Sequence, residues 1–168
     1  MTEKSTETKV TEANEAALEL AKLSDSERRE SLHRIADAID DSHEEILEAN
    51  ATDVQKAEEM LEKGEYSRAL VDRLELSPSK LQSIAEMVRS VAEQDDPLGR
   101  TLTARRLAEG LELYKVAVPI GVIGTVFESR PDALVQIASL SLKSGNAGIR
   151  KSGSQASRSN RTHFEITR

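Results

Sequence analysis

The first 95 or so residues carry apolar positions at helical spacing. Leu32, Ile35, Ala36 and Ile39 fall on one face, as do Leu81, Ile84, Ala85 and Val88, so each run predicts an amphipathic helix. Start signals support this reading. Ser24 followed by Glu27 fits a capping box, and Ser42 followed by Glu45 repeats it ahead of Ile46 and Leu47. Asn50 is placed to cap another helix through Met60 and Leu61, stopped by Gly64. Ser77-Pro78 puts a cap and a first-turn proline before the Leu81 face. These helices read as packing elements.

After the break at Asp95-Asp96-Pro97-Leu98-Gly99 the pattern changes. Leu111, Leu113, Val116 and Val118 alternate as extended chain does, and Pro119 interrupts them. Gly121 to Phe127 is rich in β-branched residues and predicts a strand buried on both faces. Leu134, Ile137, Ala138 and Leu142 then give a helix, with Ser144-Gly145-Asn146 as its stop. Ala147 to Lys151 predicts a second strand, and Gly153 to Phe164 a further helix. Strand, helix, strand, helix is a crossover unit of a parallel sheet. The fold class is therefore α/β: N-terminal helices followed by the first βαβ part of a Rossmann-like sheet.

Composition narrows the function. The 168 residues carry a formal charge of −7 and include no cysteine, which excludes disulfides, thiolate metal sites and a thiol nucleophile within them. His33, His43 and His163 are too scattered to form a metal site. With no apolar stretch of roughly 18 residues, and no apolar segment in MTEKSTETKV, neither a membrane span nor a secretory signal is expected. Residues 1–110 have 26 acidic and 15 basic side chains, and residues 111–168 have 4 and 8. That basic end suits an anionic ligand. Scattered basic residues and four aromatics speak against nucleic acid.

Parallel sheets bind ligands at the carboxyl ends of their strands. Here those ends are Glu128-Ser129-Arg130-Pro131 and Lys151-Ser152-Gly153-Ser154, each leading into a helix N-terminus. Arg130 offers a forked donor for phosphate or carboxylate, and Lys151 a point charge. The structural alternatives are a Glu128–Arg130 pair, a Glu128 helix cap, a structural ion pair for Arg130, and a solvated Lys151.

The stretch VPIGVIGTVFESRPDALVQIASLSLKSGNA, with its words ESRPD and LKSGNA, resembles the γ-glutamyl phosphate reductase family of the aldehyde dehydrogenase superfamily. GLELYKVAVPIGV and ILEANATDV resemble it too. Members are more than twice this length, so the resemblance is to an N-terminal portion. It implies NADPH-dependent reduction of γ-glutamyl phosphate to glutamate 5-semialdehyde in proline biosynthesis, through a cysteine thiolate that this chain lacks. The chain alone is therefore expected to be inactive. The resemblance implies that Val126, Phe127, Glu128 and Ser129 line the nicotinamide side, that Lys151 meets the 2′-phosphate and that Ser154 lies near the ribose. It also implies that Arg130 faces the acyl phosphate, that the full-length enzyme is a cytoplasmic homo-oligomer, and that glutamate 5-kinase is a partner. Three segments are expected: a helical region 1–105 packing on the cofactor domain, an extended oligomerisation segment 106–118, and the start of an NADP-binding domain 119–168. Where the family shows a word like SGNAVILKGGSEA, this chain has Gly148 and Arg150 in place of apolar residues and Gln155 in place of glutamate. A non-catalytic nucleotide-binding fragment and an acidic helical interaction protein are the rival readings.

Overall fold

A computed structural model describes residues 5–128 and 130–167. Five helices come first: α1 (Thr6–Leu20), α2 (Asp25–Asp41), α3 (His43–Glu62), α4 (Arg68–Leu74) and α5 (Pro78–Ala92). A hairpin of β1 (Thr101–Ala108) and β2 (Leu111–Val116) follows, then β3 (Val122–Phe127), α6 (Pro131–Lys143), β4 (Ala147–Ser152), a 3₁₀ turn at Ser154–Ala156 and α7 (Ser157–Ile166).

Of the three serine starts read from the sequence, two form side-chain caps and one does not. The Ser24 hydroxyl accepts from the Glu27 N–H while the Glu27 carboxylate accepts from the Ser24 N–H, so the capping box forms. Ser77 caps α5 by accepting from the Lys80 N–H, with Pro78 in the first turn. Ser42 joins α2 to α3 but makes no side-chain cap. It is the single residue between two helices: its N–H donates to the Ala38 carbonyl and its own carbonyl accepts from Ile46. That backbone is not the extended cap conformation in which a serine hydroxyl reaches the third amide.

Asn50 starts no helix, contrary to the sequence expectation. It lies buried inside α3. Its amide donates to the Leu74 carbonyl at 2.9 Å and to Ser159 Oγ at 3.2 Å, and its Oδ1 accepts from the Leu76 N–H at 2.8 Å. The side chain closes the end of α4 and so resembles a cap in composition only. Asp53, one turn on, accepts from the Ser159 N–H at 2.8 Å and holds the first turn of α7.

The main core joins α2, α3, α5 and α6 through Leu32, Ala36, Ile39, Ile46, Leu81, Ile84, Val88 and Val135. These are largely the faces read from periodicity. At one edge, buried Lys143 ties three elements together. Its Nζ donates to Asp25 Oδ1 at 2.8 Å and to the Ala92 carbonyl at 3.1 Å, the last residue of α5. Asp25 opens α2, and the Lys143 hydrogen bond holds its carboxyl below the usual range.

β3 and β4 pair in parallel with Val126 opposite Lys151 and Phe127 opposite Ser152. α6 crosses between them, as the strand–helix–strand reading requires. Asn146 sets the entry: its Oδ1 accepts from the Gly121 N–H at 2.9 Å. Gly145 is required here, because φ is +68° and a Cβ would stand 2.9 Å from Leu98 Cδ1. The expectation that β3 is buried on both faces is corrected. Gly124 and Val126 are exposed, Val126 to 82%, while the alternate positions are half-buried. The only strand paired with β3 among the described residues is β4, so the other edge of β3 is unpaired.

β1 and β2 form an antiparallel hairpin exposed at every position. Strand pairing begins at Thr101, ahead of the expected extended segment, and Gly110 supplies the positive φ of the tight turn.

Candidate functional site

The parallel register brings the two strand ends together. Val126, Phe127, Glu128, Arg130, Lys151, Ser152 and Gly153 line one cleft of about 450 Å³, closed on the other side by Ser67, Leu70 and Arg73 of the α4 region. Sequence reasoning anticipated the strand ends but not the α4 wall, whose residues carry no motif. Of the remaining expected residues, Ser154 is exposed at the start of the 3₁₀ turn and is not among those lining the cleft. Ser129 lies outside the described residues.

Arg130 precedes Pro131, which enters α6 as its first residue. Proline at that position needs no N–H and fixes φ for the helix, so the residue before it is held extended; Arg130 has φ −133° and ψ 99°. Its guanidinium forks onto Asp132, with Nη2 at 2.7 Å from Oδ2 and Nε at 3.4 Å from Oδ1. That hydrogen bond raises the Arg130 pKa above its ordinary value. The fork orients the guanidinium and leaves Nη1 and one Nη2 proton for a ligand. Glu128 does not pair with Arg130. Its carboxylate lies 3.9 Å from Arg73 Nη1, and both side chains are exposed, so this contact contributes little to stability.

Lys151 is exposed at the edge of the cleft. Three cations, Arg73, Arg130 and Lys151, thus face it against one carboxylate, Glu128. The exposed Val126 side chain adds an apolar wall. Cations beside an apolar surface suit a ligand with phosphates and a flat ring.

A second cleft of about 480 Å³ adjoins the first between α4, α5 and α6, and Arg73 and Arg130 line both. Among the described residues no group of histidines and carboxylates could hold a metal ion, and no helix is long and apolar enough to cross a membrane.

Arg150 shows how one departure from the family word is accommodated. Its guanidinium is partly buried, its Nε has no hydrogen-bond partner, and burial lowers its pKa. A Cβ on Gly148 would stand 3.1 Å from Arg150 Nη2. The glycine leaves the room that the guanidinium fills.

Over all 168 residues the chain is 70% identical to the γ-glutamyl phosphate reductase of Natronomonas pharaonis, of which it spans 38%. Over its whole length the chain is thus similar to part of a protein named γ-glutamyl phosphate reductase. No family model matches it. The crystal structure of γ-glutamyl phosphate reductase from Saccharomyces cerevisiae superposes with a TM-score of 0.90 at 34% identity, over 98% of this chain and 41% of that one. A probable aldehyde dehydrogenase from Listeria monocytogenes superposes with a TM-score of 0.65 at 16% identity, over 96% of this chain and 32% of that one. At that identity the likeness concerns the fold alone. The described residues form part of an aldehyde-dehydrogenase-type α/β fold. The chain spans well under half the length of the relatives it matches.

Proposed function

We propose that the protein acts as its relatives are named, reducing γ-glutamyl phosphate to glutamate 5-semialdehyde and phosphate with NADPH, in proline biosynthesis. The observation that carries this reading is the meeting of Arg130 and Lys151 at one cleft on paired strand ends, in a chain 70% identical to a named reductase.

The residues present fit a dinucleotide phosphate. Lys151 supplies a charge for the 2′-phosphate that distinguishes NADPH from NADH, and the exposed Val126 with Phe127 supplies an apolar face for the nicotinamide. When bound, the nicotinamide supplies the hydride. Arg130, oriented by Asp132, holds the acyl phosphate and stabilises charge developing on its oxygen, a role that suits a donor fixed beforehand. The thiolate implied for the family is not among these residues, which contain no cysteine. Their part is to bind and orient, and binding ground and transition states equally does not raise turnover. Glutamate 5-kinase, as the source of the acyl phosphate, and further copies of the chain are the partners this reading implies.

The test is to titrate the protein and its Lys151→Ala variant with NADPH and NADH. Losing a charge-assisted contact costs about 1.5–3 kcal/mol, so NADPH should weaken at least tenfold while NADH changes little. Equal losses for both cofactors would reject the assignment of Lys151.

A further inference from the structure

The cleft between α4, α5 and α6 is as large as the nucleotide cleft and has no part in the nucleotide reading. The two share Arg73 and Arg130, so a group held at these arginines can be reached from either side. Beyond them the second cleft has an apolar floor of Leu76, Ile84 and Met87, and charged residues of both signs around it. Arg73, Lys80 and Arg130 are balanced by Asp72, Glu75 and Asp132. A cleft of this kind matches a ligand that carries both signs on a short hydrocarbon chain.

Two of the charges are available. Asp132 is taken by Arg130, whereas Asp72 makes no ion pair among the described residues. Lys80 donates one hydrogen bond to the Glu75 carbonyl at 2.6 Å and retains two of its three donors. It stands in the first turn of α5, where the helix dipole adds to the attraction for an anion. Ser83, one turn further along α5, also lines the cleft.

We infer that this cleft receives the amino-acid end of the substrate, with Lys80 holding its α-carboxylate and Asp72 its ammonium group. The methylenes then lie over Leu76, Ile84 and Met87, and the acyl phosphate points back to Arg73 and Arg130. The assignment rests on reading the neighbouring cleft as the nucleotide site, and it makes Lys80 and Asp72 specificity-determining residues.

The experiment uses L-glutamate as a stable probe, with glutarate (no ammonium) and 4-aminobutyrate (no α-carboxylate) beside it. Each is titrated into ¹⁵N-labelled protein while the amides of α4 and α5 are followed, and NADPH is titrated in a parallel series. L-Glutamate should bind at least tenfold more tightly than either analogue. Lys80→Ala should weaken L-glutamate about tenfold and leave 4-aminobutyrate unchanged, with Lys80→Arg restoring most of the affinity. Asp72→Asn should erase the preference for L-glutamate over glutarate, which a purely structural role would not do. Both side chains are exposed, and unchanged circular dichroism will verify the fold. Equal binding of L-glutamate and glutarate to the unaltered protein overturns the inference, as do variants that shift neither ratio. NADPH binding without L-glutamate binding overturns it while the nucleotide reading stands; binding of neither removes both.

Discussion

His163 is fully buried in α7, with neither ring nitrogen hydrogen-bonded. Burial pushes its pKa down to about 4, against a smaller opposing pull from Asp132. An unfolded chain binds the proton near the ordinary value of about 6.5, so between about 6.5 and 4 the unfolded state holds more protons. This residue's contribution is therefore intact above about pH 6.5 and is lost as pH falls toward 4, by about 3 kcal/mol in total. Urea unfolding across this window should show that slope, and His163→Leu should flatten it. An unchanged slope in the variant would place the titrating group elsewhere. Nothing in the sequence marks His163 as different from His33 and His43. Its burial depends on α7 folding back onto the helices, where Asp53 holds the first turn.

At the scale of the element, β4 shows how two unfavourable residues become compatible. Glycine weakens a strand and arginine is costly to bury, and the sequence shows both as departures from the family word. In the strand, Gly148 and Arg150 are two residues apart and lie on the same side, and the guanidinium occupies the space beside the glycine. A double-mutant cycle should expose the coupling. Gly148→Val alone should destabilise by about 1–3 kcal/mol through overpacking. Added to Arg150→Leu it should cost less, with a coupling of about 0.5 kcal/mol or more. Additive effects in thermal melts would show that the two positions do not share that space. By contrast, the helices that periodicity predicted match closely, because a buried stripe at helical spacing has few other ways to be satisfied.

At the scale of the whole molecule, apolar surface left in the open is the dominant feature. Leu102, Leu107, Leu111, Leu113 and Tyr114 are exposed on the hairpin, and Val118 and Ile120 follow it, the latter exposed to 83%. A two-stranded ribbon exposed on both faces has no core of its own and presents unpaired edges. We expect the chain to associate as concentration rises, in keeping with an oligomerisation role for the segment 106–118. Light scattering coupled to gel filtration should show a mass that increases with loading, and Leu111→Ser with Leu113→Ser should bring it toward 18.4 kDa. A concentration-independent monomer before substitution would count against this.

The sequence by itself determined the core faces of α2, α5 and α6, the strand–helix–strand order of β3, α6 and β4, and the two polar strand ends, because these follow from spacing, caps and turn residues only a few positions apart; α1, α4 and β1 were not among them. The words ESRPD and LKSGNA also sufficed to indicate the family. Tertiary structure alone decided what long-range contacts decide. It turned Asn50 from an expected cap into a bond between α3, α4 and α7, and Lys143 into a buried tie between α5 and α2. It set the α4 wall opposite the strands. None of these was legible beforehand, since the partners of a polar side chain are chosen by which segments meet in space, and burial makes each such choice costly to leave unmet.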